Sequence, residues 1–330
     1  MTESDVLVPS GLDGDHDLVA SWGNGMQEVI VDFLETLGQE REFSPNTIAA
    51  YRNDLVQFAQ YFGNNCHPAD WHALNDDVLR SYDLDLRERD YAKSTVARKL
   101  AAIKSFCTYL VEQHGLKLNP TAALSPPRVD KFVPQAITED EVHALLDVVD
   151  RQPGPGGSRD RAMLRLLCAT GLRVSELTAL DIDDYLADGL VLCRRNPDRQ
   201  RTVPLSPDAV DALEDYLRFG RDQLTQQRSE PALFVNQRGT RLTRQGFWLI
   251  LKSYAEASNL PDITPHTLRH TFAALAVGSG TELHEVQHIL GHVSISTTQV
   301  YQQVAQQVCG AGGRSLVGSV ASCYDSRSSE

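Results

Sequence analysis

The chain has 330 residues, 42% hydrophobic and 23% charged, an ordinary globular composition with room for two domains. No apolar run reaches the roughly 18 residues of a membrane span, and the acidic start MTESDVLVPSGLDGDHD lacks the basic flank and apolar core of a secretory signal, so a cytoplasmic protein without membrane association is expected. The net charge of −13 argues against a nucleic-acid partner only until its distribution is seen: residues 1–40 hold nine acids and no Lys or Arg.

Residues 1–24 have no hydrophobic periodicity and read as an acidic disordered tail. MQEVIVDFLETL (26–37) has helical spacing of Val29, Ile30, Phe33, Leu34 and Leu37. Ser44-Pro45 suits the cap and first position of a second helix, whose apolar face is Ile48, Tyr51, Leu55, Phe58 and Tyr61. STVARKLAAIKSFCTYLVEQ (94–113) predicts another, with Val96, Leu100, Ile103, Phe106 and Leu110 inward. Together these make a small all-α domain over 25–113. The proline-bearing stretch 114–136 reads as an extended linker.

A second domain is expected over 137–307. Thr138 and Glu141 form a capping box for ITEDEVHALLDVV. RDRAMLRLLCATG is helical and ends on Gly171, a natural C-cap. GLVLCRR and RTVPLS predict short strands around the turn Asn196-Pro197-Asp198. Helical patterns resume from Ala209 and continue through Phe247–Ala257, His266–Val277 and Glu282–Leu290; residues 308–330 are a Gly/Ser-rich tail. The six cysteines (Cys66, Cys107, Cys168, Cys193, Cys309, Cys323) show no C-x-x-C pair, which favours reduced thiols over a disulfide framework or zinc ribbon. After Asp130 the cations are almost all arginine, a bias that phosphate binding and codon usage explain equally well.

Two constellations carry chemistry. His284-Glu285-x-x-His288 matches a zinc-protease motif, but the extended form needs a histidine where Ser294 stands. A solvated helix face is the better reading, and no metal is expected. The other set is Arg173, His266, Arg269, His292 and Tyr301. Each alone reads as surface or packing. Together, two arginines suit the oxygens of a phosphodiester, two imidazoles suit proton transfer, and a phenol can act as nucleophile.

ATGLRVSELTAL (169–180), HTLRHTFA (266–273) and LGHVSISTTQVY (290–301) resemble the tyrosine recombinase family, most closely its Xer-type members. SPNTIAAYRNDL (44–55) and STVARKLAAIKSF (94–106) are similar to the DNA-clamping domain of that group, so the resemblance spans roughly 25–305. It implies a mainly α fold with a small β-sheet: a SAM-like helical core-binding domain and an α+β catalytic domain closing as a C around duplex DNA. In the implied chemistry Arg173 and Arg269 clamp the phosphate, His266 assists as hydrogen-bond donor or general base, and His292 is a second donor. Tyr301 forms the 3′-phosphotyrosyl bond, Glu176 orients the site, and neither ATP nor any other cofactor is needed. The implied partners are a double-stranded recombination site, a homo- or hetero-tetramer with a second recombinase, and a DNA translocase at the division septum. Chromosome dimer resolution is favoured over phage or mobile-element integration.

The chain departs from the family pattern at Asn196, which stands where a general-acid lysine is expected; no lysine lies between Lys131 and Lys252. Asn cannot deliver that proton, which leaves open a slow enzyme, a partial electrostatic substitute in Arg195 beside Arg194, Arg199 and Arg201, or a DNA-binding accessory protein with impaired catalysis. The tail at 308–330 lacks the amphipathic helix expected after the nucleophile. Candidate phosphate contacts are Arg52, Lys93, Arg98, Lys99 and Lys104 in the first domain, and Arg195, Arg238, Arg241 and Arg244 in the second.

Overall fold

A computed structural model describes residues 24–40, 43–66, 70–89, 91–124, 134–186, 189–194, 200–226, 228–292 and 294–308. The tail expected at 308–330 lies outside these beyond Val308, as does that at 1–24 before Asn24, which opens a helix. The chain divides into two compact units, one up to residue 132 and one from residue 133.

The first unit is helical: α1 (Asn24–Glu40), α2 (Pro45–Asn65), α3 (Asp76–Glu88) and α4 (Lys93–Gln113). Ser44 caps α2 by accepting from the Thr47 N–H, and Asn75 caps α3 by accepting from Val78. Their apolar faces meet in an aromatic core in which Trp71 lies 5.5 Å from Phe62 in near-parallel stacking and donates its indole N–H to the Met26 carbonyl. Leu116 and Leu124 are buried in this core, and Pro120–Ala123 form a 3₁₀ turn. Residues 114–124, expected as linker, therefore pack with the helices; residues 125–133 lie outside the described residues.

One cation of this unit is placed against expectation. Lys99 is 3% exposed and donates to Asp54 Oδ1 at 3.0 Å and Gln57 Oε1 at 2.6 Å. Asp54 is itself buried, so Lys99 neutralises a carboxylate inside the fold and has no reach to phosphate. Arg98 also pairs with Asp54 but keeps an exposed side, whereas Arg52, Lys93 and Lys104 lie on the surface.

In the second unit, helices surround a three-stranded antiparallel sheet in the order β1 (Tyr185–Leu186), β2 (Leu190–Arg194), β3 (Gln200–Pro204). Thr202 faces Leu192 and Arg201 faces Cys193 across the β2–β3 ladder. Helices α5 (Glu139–Asp150) and α6 (Gly154–Thr170) precede the sheet, with the short α7 (Val174–Leu177) between α6 and β1. After the sheet, α8 (Pro207–Asp215) runs through a π-helical turn, Tyr216–Gly220, into α9 (Arg221–Thr225). Then follow α10 (Arg244–Ala257), α11 (Pro265–Gly278), α12 (Leu283–Leu290), α13 (Ser296–Gln299) and α14 (Tyr301–Val308). α6 is buried along most of its length and forms the spine of the core. No helix of the described residues is long and apolar enough to cross a membrane.

The described cysteines, Cys66, Cys107, Cys168 and Cys193, are free, and burial pushes the thiols of the last three up to about 12. Cys309 and Cys323 lie outside the described residues.

Candidate active site

Gly171 ends α6 in the left-handed conformation, φ 59°. A Cβ there would lie 2.5 Å from the Phe272 ring, so the turn accepts only glycine without rearrangement. The turn delivers Arg173 to the start of α7. Its backbone N–H donates to Glu176 Oε2 at 2.9 Å, and its guanidinium reaches Glu176 Oε1 and the Leu290 carbonyl at 3.3 and 3.2 Å.

α11 brings the second arginine. Thr264 caps it and Pro265 occupies its first turn, which sets His266, Arg269 and His270 on consecutive turns. Arg269 is 5% exposed and donates to the Gly171 carbonyl at 2.6 Å and the Leu290 carbonyl at 2.7 Å. Leu290, the last residue of α12, thus offers one oxygen to both guanidinium groups. Burial, with the charge of Arg173, lowers Arg269 to about 10, so it keeps its charge at neutral pH.

Glu176 holds Arg173 in place. Arg201, on β3, donates to both its oxygens at 2.9 and 3.0 Å and to the Ile289 carbonyl at 2.8 Å. Burial alone would raise the Glu176 carboxyl; the Arg201 hydrogen bonds and charge, with the Arg173 N–H, overcome it and hold the group at about 2. Gly291, φ 63°, lets the chain pass Arg201, whose Nη1 would stand 2.9 Å from a Cβ there.

His292 follows that turn. Its Nδ1 lies 3.0 Å from Thr298 Oγ1, and its ring stacks 6.4 Å from the Tyr301 ring. Burial first, then the nearby charges of Arg269 and Arg173, lowers it to about 4, so it is neutral at pH 7. Tyr301 opens α14 and is 2% exposed. Burial raises its phenol while Arg269 and Arg173 pull it down without cancelling the shift. Its hydroxyl lies 2.7 Å from His270 Nδ1.

The structure therefore brings Arg173, Glu176, Arg269, His292 and Tyr301 together, with His266 exposed one turn before His270 at a ring separation of 6.4 Å. Sequence reasoning missed His270 and the pairing of Arg201. The first lay inside HTLRHTFA, four residues after His266, and that spacing on one helix face was its only signal. Arg201, one of the cations beside Asn196 in sequence, is committed to Glu176, and Arg194 pairs with Asp184 at 2.7 Å. Asn196, Arg195 and Arg199 lie outside the described residues. Arg241 binds the Thr178 and Leu180 carbonyls, each at 3.1 Å, and pairs with Asp181, tying the chain after α7 to the loop before α10 while its side chain stays partly exposed. Arg238 and Arg244 are exposed. His284 and His288 lie on the exposed side of α12, and no group of three or more His, Cys, Asp or Glu among the described residues is placed to hold a metal ion.

Residues 135–307 match the phage integrase family and residues 30–114 the phage integrase N-terminal SAM-like domain. The chain is 49% identical over 281 residues to tyrosine recombinase XerC of Herpetosiphon aurantiacus, covering 85% of this chain and 92% of that one. It is 39% identical over 284 residues to tyrosine recombinase XerD of Oceanobacillus iheyensis, covering 85% and 95%. In fold it is similar to the site-specific recombinase XerH bound to a palindromic difH substrate, with a TM-score of 0.68 at 21% identity over 87% of this chain and 89% of that one. A lambda integrase dimer bound to a COC′ core site gives 0.64 at 17% identity over 83% and 94%. The chain belongs to the phage integrase family, and within it to the Xer-type tyrosine recombinases, enzymes that break and rejoin DNA strands.

Proposed function

We propose that this recombinase cuts and reseals duplex DNA with Tyr301 as nucleophile and Arg173 and Arg269 as the clamp on the scissile phosphate. The observation that carries this is the shared anchoring of both guanidinium groups on the Leu290 carbonyl, beside a phenol that feels the charge of each. Two fixed cations neutralise the charge that grows on the phosphoryl oxygens in the transition state. His266 and His292 add hydrogen bonds to those oxygens. Glu176, held by Arg201, positions Arg173. Attack leaves a 3′-phosphotyrosyl bond and a free 5′-hydroxyl. The covalent link keeps the energy of the broken bond, so resealing needs no ATP, and the arginines fill the place a metal would take.

In this reading residues 25–113 grip DNA, residues 137–307 carry the chemistry, and the protein works in the cytoplasm as a homo- or hetero-tetramer on its recombination site. The identity to XerC and XerD proteins over most of the chain favours chromosome dimer resolution, and with it chromosome partition at cell division and a septal DNA translocase as partner, over mobile-element integration.

The test is strand cleavage in EDTA on a nicked duplex carrying a site selected from random sequence by binding to this protein. A covalent protein–DNA adduct is expected from the wild type and none from Tyr301→Phe. An adduct that requires added metal contradicts the arginine mechanism.

A further inference from the structure

We infer that His270 is the base of the cleavage step: its Nδ1 accepts the Tyr301 proton as the phenol oxygen attacks phosphorus. The inference rests on Tyr301 being the nucleophile. As the Tyr301 Oη–P bond forms, the bond from phosphorus to the 5′ oxygen breaks. The phenol proton passes to Nδ1, and the leaving oxygen takes a proton from water. In resealing, the 5′-hydroxyl attacks, its proton goes to water, and the imidazolium returns its proton to the departing phenolate.

Geometry singles out this residue. A general base must sit within hydrogen-bond reach of the proton it takes, and His270 Nδ1 lies 2.7 Å from the phenol oxygen. His292 Nδ1 is taken by Thr298 and its ring lies parallel to the phenol at 6.4 Å. The Glu176 oxygens are taken by Arg201 and Arg173. His266 is a full turn away on α11, at the surface.

Among the described residues, the charged and titratable groups that face His270 include His266 and Arg269 on its own helix, Tyr301 on α14, and His292 before α13. Burial first, then His266 and Arg269, lowers the ring to about 4, which keeps it neutral and able to accept at working pH. An arriving phosphodiester brings the negative charge that favours the imidazolium once the proton has moved.

His270→Asn tests this, because Oδ1 keeps an acceptor near the place of Nδ1 but does not take a proton. Single-turnover cleavage of the nicked duplex is measured from pH 6 to 9, with thermal melting and gel shift to confirm folding and DNA binding. The wild type should be nearly flat over this range. His270→Asn should be slower at pH 7 by about 10²–10⁴-fold, with a rate rising about tenfold per pH unit as the phenol ionises unaided. His270→Ala should respond to added imidazole, which also serves if the Asn variant fails to fold. A flat profile in His270→Asn, whether at full or uniformly reduced rate, overturns the proton role. If Tyr301→Phe still forms the adduct, the nucleophile assignment itself falls; if it does not while His270→Asn stays flat, only the base assignment falls.

Discussion

Tyr301 rests in the fold as a buried, protonated phenol, with two arginines opposing but not cancelling the effect of burial. In the proposed mechanism such a side chain stays inert until a phosphate arrives and a base takes its proton. Glu176 is the opposite case, a carboxylate held ionised at about 2 by Arg201 and Arg173. Its folded-state value lies below its unfolded value, so its stabilisation is present above about pH 4.5 and lost as pH falls towards 2. The unfolding free energy of the wild type should exceed that of Glu176→Gln by on the order of 3 kcal/mol near neutral pH, the gap closing on acidification. A constant gap in denaturant titrations from pH 7 to 2.5 contradicts this. Asn196 gives a second prediction: if the missing acid limits the rate, Asn196→Lys should speed cleavage of the nicked duplex by up to about 10²–10⁴-fold, and an unchanged rate removes that account. Arg173, His266, Arg269, His292 and Tyr301 were legible because three separated motifs matched together. His270 was not, since its meaning comes from α14 folding its phenol against α11, a contact with no local trace in the sequence.

At the scale of elements, the site is assembled by helix ends. The C-termini of α6 and α12 and the N-termini of α7 and α14 converge, and the two left-handed glycines make the approach close enough. Gly171 combines positive φ, a Phe272 contact and a carbonyl that receives Arg269. Gly171→Ala should cost about 2–4 kcal/mol from backbone conformation and overpacking together, measured as a lower denaturation midpoint, with loss of cleavage at temperatures where the variant is still folded. A variant of wild-type stability and activity contradicts the packing described here. Caps and terminators were readable from Ser44, Thr138 and Gly171, because these residues act on their own backbone neighbours. The commitment of β3 Arg201 to Glu176 was not, because it depends on a partner 25 residues away; α3, with its Asn75 cap and Leu79, Tyr82 and Leu86 at helical spacing, carried a local signal that went unread.

Across the whole molecule, charge misled most. A lysine among polar neighbours on an amphipathic helix reads as solvent-facing, yet Lys99 neutralises Asp54 inside the first unit. Lys99→Ala should therefore lower stability, by less than the roughly 3–5 kcal/mol of a fully stranded buried charge, because Arg98 still pairs with Asp54. Lys104→Ala should leave stability unchanged and, if Lys104 meets a phosphate, weaken DNA binding and reduce the slope of log affinity against log salt by about one. Melting and salt-titrated binding of the two variants separate a structural cation from a DNA-facing one. In the proposed mechanism the chemistry converges on one atom, the phenol oxygen of Tyr301. The most direct measurement is protease digestion and mass spectrometry of the covalent adduct trapped on the nicked duplex, with the released DNA end identified. The expected result is a 3′-phosphoryl group on the peptide containing Tyr301 and a free 5′-hydroxyl; attachment at another residue, or through a 5′-phosphate, would contradict the account.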